Sequence, residues 1–189
     1  MPRIVGSRRR SFGRRSPSGI APETPGDAAL LRQILAEALQ YAGEAITEMI
    51  DEAAQMGGLY LVRQFVEFWE QLLVESDFTA GCPVVAAAIG SADDEPQLTT
   101  VAGNIFRHWR EALTRAFVSD GFDEPCAASL AIMCIASLEG AVVLCRSTRS
   151  VDPLRAVTDE IEFLIKSREF VRRHGLPTPA EPAIQPQHR

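Results

Sequence analysis

The sequence predicts an all-α protein of about six helices. Apolar residues recur at intervals of three and four along most of the 189 residues, which is the spacing of one face of a helix. Proline and glycine fall between these periodic segments, and no segment shows the alternation expected of a half-buried strand. Apolar residues make up 46% of the chain and charged residues 23%, the balance of a globular domain with its own core.

The two ends of the chain differ from the segment between them. We expect a folded domain at 27–175, between a disordered basic arm at 1–26 and a disordered Pro-rich tail at 176–189. Residues 1–20 carry six Arg and no acidic residue, whereas the rest has 13 basic and 25 acidic residues. This acidic balance argues against nucleic-acid binding by the folded part itself. We interpret the arm as a solvated tail in preference to a segment that touches nucleic acid.

Three helices are predicted in the first half of the domain. Asp27 is a suitable N-cap for a long first helix, which Gly57-Gly58 ends or bends. A second helix reaches about Glu75. Pro83 suits the first position of a short third helix that runs to Ile89.

A polar, acidic loop at 91–95 precedes the fourth helix. Pro96 opens this helix and Gly121 closes it. Its predicted buried face consists of apolar residues at helical spacing: Leu98, Val101, Ile105, Trp109, Leu113 and Ala116.

The fifth helix begins at Asp123 and Pro125 and contains the most apolar stretch of the chain, 127–145. A helix that is apolar on nearly every side is buried among other helices, in a subunit interface or in lipid. Its length approaches the roughly 20 residues that cross a bilayer. Glu139 lies inside the stretch, however, and an ionisable group there is costly in lipid. We therefore predict a central buried helix and no membrane segment.

The last helix begins at Asp152-Pro153 and ends before Gly175. Its apolar residues form a narrow stripe at spacing three and four, which is suited to helix pairing.

No motif predicts catalysis, and we expect no enzyme and no cofactor. The sequence lacks nucleophile-elbow, phosphate-loop and zinc-protease motifs, and His108 fits a solvated helix surface. The four cysteines lack metal-site spacing and are interpreted as reduced thiols in a cytoplasmic protein, without a metal. Glu139 is the one specific candidate for a functional residue. We favour a surface carboxylate, or one paired with an Arg across a subunit boundary, over one that anchors a ligand.

Two segments resemble one family. The segments 78–84 (Phe-Thr-Ala-Gly-Cys-Pro-Val) and 138–147 (Leu-Glu-Gly-Ala-Val-Val-Leu-Cys-Arg-Ser), with Pro-Leu-Arg at 153–155, are similar to the ligand-binding domain of TetR-type transcriptional regulators, LmrA/YxaF-like subgroup. The resemblance covers about 28–173. It implies a homodimer in which the last two long helices of each subunit pair, and a possible small apolar effector bound among the preceding helices.

Candidate residues follow for both sites. Aromatic residues of the second and fourth helices could line a cavity for an apolar ligand, although at helical spacing they are more commonly core. The candidates for the effector pocket are Phe65, Trp69, Cys82, Phe106, Trp109 and Met133. For the dimer interface they are Leu138, Val142, Cys145, Leu154, Val157, Ile161 and Leu164.

The family's N-terminal helix-turn-helix domain has no counterpart in 1–27, which is too short for it. No DNA-binding residue is therefore assigned, and we expect a truncated regulator that binds DNA only if that domain is supplied. The alternative is a helical dimerisation or small-molecule-binding module that acts through protein partners.

Overall fold

The computed structural model describes residues 25–90 and 96–175, which form six α-helices. These are α1 (Pro25–Ala54), α2 (Gly58–Glu75), α3 (Pro83–Gly90), α4 (Pro96–Ser119), α5 (Glu124–Thr148) and α6 (Asp152–His174). The prediction of an all-α domain of about six helices is confirmed. The predicted disordered arm and tail and the loop at 91–95 concern residues almost entirely outside the described ranges.

The helix boundaries follow the predicted proline and glycine signals, with two corrections at the caps. The Asp123 carboxylate caps α5 as expected, by accepting a 2.9 Å hydrogen bond from the Cys126 N–H. The prediction of Asp27 as an N-cap is wrong, because α1 already begins at Pro25. Asp152 is the first residue of α6 and Val151 takes the cap position, a shift of one residue.

Helix α5 is buried on the side that faces its neighbouring helices and exposed at Ile132, Val143 and Leu144, so the prediction of a helix buried on nearly every side is only partly correct. It packs against α4 and α6 and also touches α2, while α1 packs against α4 and α3 against both α1 and α4. The interior side chains of α5 are mostly small or branched, and they include Cys134, Leu138 and Val142. Among the described helices, α5 has the length and apolar composition of a membrane span, but a buried position in a bundle requires the same composition.

The core is built around two tryptophans. Trp69 on α2 and Trp109 on α4 are each 1% exposed, and Trp109 Nε1 donates a 2.8 Å hydrogen bond to Thr47 Oγ1 on α1. Each ring packs edge-on against a neighbouring phenylalanine, Phe68 and Phe106 respectively. These contacts fix α4 against α1 and thereby position the α4 face that turns towards α5.

Candidate functional site: a cleft between helices α4 and α5

A cleft of about 420 Å³ lies between α4 and α5. Helix α4 lines it with Gly103, Phe106, Arg107 and Arg110, which recur at intervals of three and four and so share a face. Helix α5 contributes Ile132, Ile135, Ala136 and Glu139, which also recur at intervals of three or four and so share one face of that helix. The walls are mainly apolar, which is typical of small-molecule sites.

Behind the cleft, a small apolar gap extends into the core. It has a volume of about 10 Å³, at the lower limit for one water molecule, and Phe65 from α2 and Trp109 from α4 are among its lining residues. Ile135 and Glu139 line both spaces. Glu139 therefore lies at the inner end of the cleft, where the cleft meets the core.

The Glu139 carboxylate is buried and lacks a conventional partner. The residue is 6% exposed, and no group in the described ranges makes a hydrogen bond of ordinary geometry with either oxygen. Burial raises the pKa of Glu139 to about 7, and the nearby Cys82 thiol opposes this rise only in part. The interpretation of Glu139 as a surface carboxylate is wrong.

The turn before α3 places Cys82 beside Glu139. Asp77 and Phe78 have positive φ angles of 50° and 58°, and Arg149 Nη2 donates a 2.6 Å hydrogen bond to Asp77 Oδ1. A Cβ atom at Gly81 would lie 2.8 Å from Arg146 Nη1, so a larger residue there would have to displace that guanidinium. Burial, followed by the charge of Glu139, raises the pKa of the Cys82 thiol, which therefore stays protonated.

The candidate effector residues lie in four different places. Phe106 lines the cleft, and Cys82 neighbours Glu139. Phe65 and Trp109 line the inner gap, whereas Trp69 is buried in the core. Met133 lies on the other side of α5, in a groove beside α6. Four of the six therefore line the two spaces that Glu139 borders or neighbour Glu139 itself, whereas Trp69 and Met133 line neither space.

Sequence reasoning missed most of the cleft wall: Gly103, Arg107, Arg110, Ile132, Ile135 and Ala136. The available signal was the spacing of Ile132, Ile135 and Glu139, which places both isoleucines on the face of the one acidic residue in the apolar stretch. His108 lies on the α4 surface, where it pairs with Asp51 of α1 at 2.8 Å. Within 25–90 and 96–175, no three His, Cys, Asp or Glu side chains converge on a possible metal position.

The residues predicted for the dimer interface differ in how far they are buried within the protomer. Val157 and Leu164 are half-buried and line a groove of about 600 Å³ along the outer side of α5 and α6. Ile161 borders the same groove but is only 2% exposed, and the other four are buried within their own protomer: Leu138, Val142, Cys145 and Leu154. The apolar side chains that α5 and α6 leave exposed include Leu144, Phe163 and Phe170.

Comparison with known proteins identifies the family. Residues 59–160 match the family described as transcriptional regulator LmrA/YxaF-like, C-terminal domain. The chain is also 33% identical over 138 residues to uncharacterised HTH-type transcriptional regulators from two strains of Mycobacterium tuberculosis, and the alignments cover 70% of this chain and 70% of each relative. The match includes the turn that places Cys82 and the part of α5 that carries Glu139. The chain therefore belongs to the TetR family of transcriptional regulators and carries its LmrA/YxaF-like C-terminal domain.

Proposed function

We propose that this chain is the effector-binding and dimerisation domain of a cytoplasmic transcriptional regulator, and that its effector site is the α4–α5 cleft. The observation that carries this proposal is the position of Glu139 at the inner end of an apolar cleft. A buried carboxylate without a hydrogen bond of ordinary geometry is costly, and such a group beside a cavity is a candidate for a functional residue. Family membership supports regulation of transcription in place of enzymatic turnover.

The volume and lining suit a small, mainly apolar effector. A cleft of about 420 Å³ is within the range of small-molecule sites, and Phe106 offers an aromatic face to a ring. Effector binding here would contact α4 and α5 together, so the relative position of these two helices would depend on occupancy.

Dimerisation is assigned to the outer side of α5 and α6. Leu144 is 52% exposed and Phe163 is 69% exposed, and both belong to the two helices that the family resemblance pairs between subunits. Operator binding is assigned to a helix-turn-helix domain. The segment 59–160 matches the C-terminal domain of the family, which is distinct from its DNA-binding domain.

A dye-binding experiment tests the effector site. Gly103 lines the cleft and is exposed, and a Cβ atom there would meet nothing within 4 Å, so Gly103→Phe has room to place an aromatic ring in the cleft. The neutral dye N-phenylnaphthylamine is expected to bind the wild type and Gly103→Ala with saturable fluorescence enhancement, and to lose this binding in Gly103→Phe. Equal saturable binding by Gly103→Phe would refute the cleft as the effector site.

A further inference from the structure

We propose that the α4–α5 cleft selects ligands that join an apolar body to a protonated amine, and that the ammonium group pairs with the Glu139 carboxylate. This inference rests on the proposed role of the cleft as an effector site, and it specifies the chemical class of the effector.

The argument begins with the two oxygens of Glu139. Both are buried, and in the described part of the chain neither accepts a hydrogen bond of ordinary geometry, although the neighbouring Cys82 thiol lies close enough to lower the pKa of Glu139. A purely apolar ligand would displace water from the cleft and leave these oxygens still more isolated, which lowers its affinity. A ligand that donates hydrogen bonds at its inner end removes this cost.

Charge favours a cation over a neutral donor. An ammonium group placed beside a buried carboxylate forms a charge-assisted hydrogen bond, which is stronger than a neutral one. A ligand carboxylate would instead bring two like charges together beside the buried Glu139 oxygens.

The other charged and titratable groups of the cleft are compatible with this assignment. Arg107 and Arg110 of α4 lie on exposed positions, and Arg107 Nη1 already donates to Asn104 Oδ1 at 3.0 Å. Water and salt screen charges at such positions, so they repel a buried ammonium only weakly. The Cys82 thiol, from the turn before α3, is protonated and neutral. The residues that α1 and α2 contribute to the inner gap are all apolar.

Proton release should accompany the binding of an amine. Burial holds the pKa of Glu139 at about 7 in the free protein, so a fraction of the molecules carry a protonated carboxyl at neutral pH. An adjacent ammonium favours the ionised form and lowers this pKa, which expels the proton. Amine affinity should therefore rise with pH towards neutrality and then level off.

The experiment uses three matched probes: naphthylmethylamine, naphthylmethanol and naphthoate. Calorimetry at neutral pH should show the amine binding the wild type at least about tenfold more tightly than the alcohol, the ratio expected for one charge-assisted hydrogen bond in a dry site. Naphthoate should bind most weakly. Glu139→Gln should make amine and alcohol equal, and Gly103→Phe should abolish the binding of both. Titrations in buffers of different ionisation enthalpy should show proton release with the amine and not with the alcohol.

The two proposals fail in different ways. If amine and alcohol bind the wild type equally, without proton release, and Gly103→Phe removes both, the cleft remains an effector site and the ammonium pairing is wrong. If no probe binds, or if Gly103→Phe binds all probes like the wild type, the cleft proposal is wrong as well. The proton-release measurement needs only the wild type, so the ammonium pairing stays falsifiable if Glu139→Gln does not fold.

Discussion

The carboxylate of Asp120 accepts a 2.8 Å hydrogen bond from the backbone N–H of Gly58. This bond joins the end of α4 to the start of α2 and satisfies one of the unpaired N–H groups at a helix N-terminus. Gly57, the preceding residue, has a φ of 106°, which favours glycine. The Gly57-Gly58 pair therefore does more than interrupt a helix, because it lets α2 begin directly against α4.

Gly58→Ala should destabilise the domain. A Cβ atom there would lie 2.2 Å from Cε1 of Phe117, a ring that is fully buried in the core and has little freedom to move. We expect the free energy of unfolding in urea to fall by about 1–3 kcal/mol. Gly103→Ala is the control, since alanine is favoured over glycine inside a helix and meets open space there. Equal stabilities of the two variants would contradict the close packing at Gly58.

The sequence was sufficient for the helices because their boundaries depend on local chemistry. Proline at 83 and 96, the Asp123 side chain and the glycines act within one or two turns, and the structure uses nearly all of them. The prediction of an N-cap at Asp27 was wrong because the two preceding residues, Pro25 and Gly26, also adopt helical geometry.

The residues of the candidate site were harder to predict from the sequence. Apolar periodicity shows which residues share a helix face, but it does not show which part of the protein, or which partner, covers that face. The stripe through Leu154 and Ile161 has the spacing of a pairing helix, and pairing within a protomer requires the same pattern as pairing between protomers. Glu139 likewise shows in the sequence only as a carboxylate among apolar residues. That it is buried at a cleft depends on how α4 packs against α5.

Glu139 should make the domain less stable as the pH rises. Below about pH 4.5 the carboxyl is protonated in both the folded and the unfolded state. Between this pH and about 7 the unfolded state releases the proton and the folded state keeps it, so the free energy of unfolding falls, and above about pH 7 it levels off. The full loss of unfolding free energy across this range is about 3 kcal/mol.

Urea unfolding of the wild type and Glu139→Gln at pH 5 and pH 8 measures this effect. We expect the variant to gain stability relative to the wild type between the two pH values. A constant difference would mean that Glu139 does not titrate in this range.

The contribution of Glu162 to the stability of the fold should have the opposite pH dependence to that of Glu139. Hydrogen bonds from Arg63 of α2, at 2.6 Å, and from Lys166 lower the pKa of Glu162 to about 2. Its stabilisation is therefore present above about pH 4.5 and is lost as the pH falls towards 2. Because Arg63 is largely exposed, solvent screens the pair, and Glu162→Gln should lower the thermal unfolding midpoint at pH 7 by only a few degrees. Glu67→Gln on the exposed face of α2 should have a smaller effect. A larger fall in the thermal unfolding midpoint for Glu67→Gln than for Glu162→Gln would argue against a stabilising ion pair between Arg63 of α2 and Glu162 of α6.

DNA binding by residues 1–189 should be weak and independent of base sequence. The six Arg of residues 1–20 supply the concentrated positive charge, whereas the rest of the chain is acidic. Gel shifts with unrelated duplexes should therefore give equal, salt-sensitive binding, with a slope of log K against log salt no steeper than about −5. Replacing all six Arg by Gln should abolish it. A shift that selects one duplex sequence at physiological salt would overturn this expectation.

Gly140→Arg should convert the proposed dimer into folded monomers. Gly140 is exposed on α5, and a Cβ atom there meets nothing within 4 Å, so the protomer accommodates the substitution. It lies one helical turn from Leu144 and two from Met133, on the side of α5 that lines the outer groove, where a guanidinium would be buried unpaired between subunits.

Leu164→Arg should disrupt the dimer too. Leu164 is half-buried within the protomer, however, so a loss of folding is expected to accompany it. Val74→Arg, which replaces an exposed apolar residue on α2, is the matched control and should remain dimeric. Sedimentation equilibrium with circular dichroism separates loss of assembly from loss of fold. A Gly140→Arg variant that stays dimeric would place the interface elsewhere on the domain.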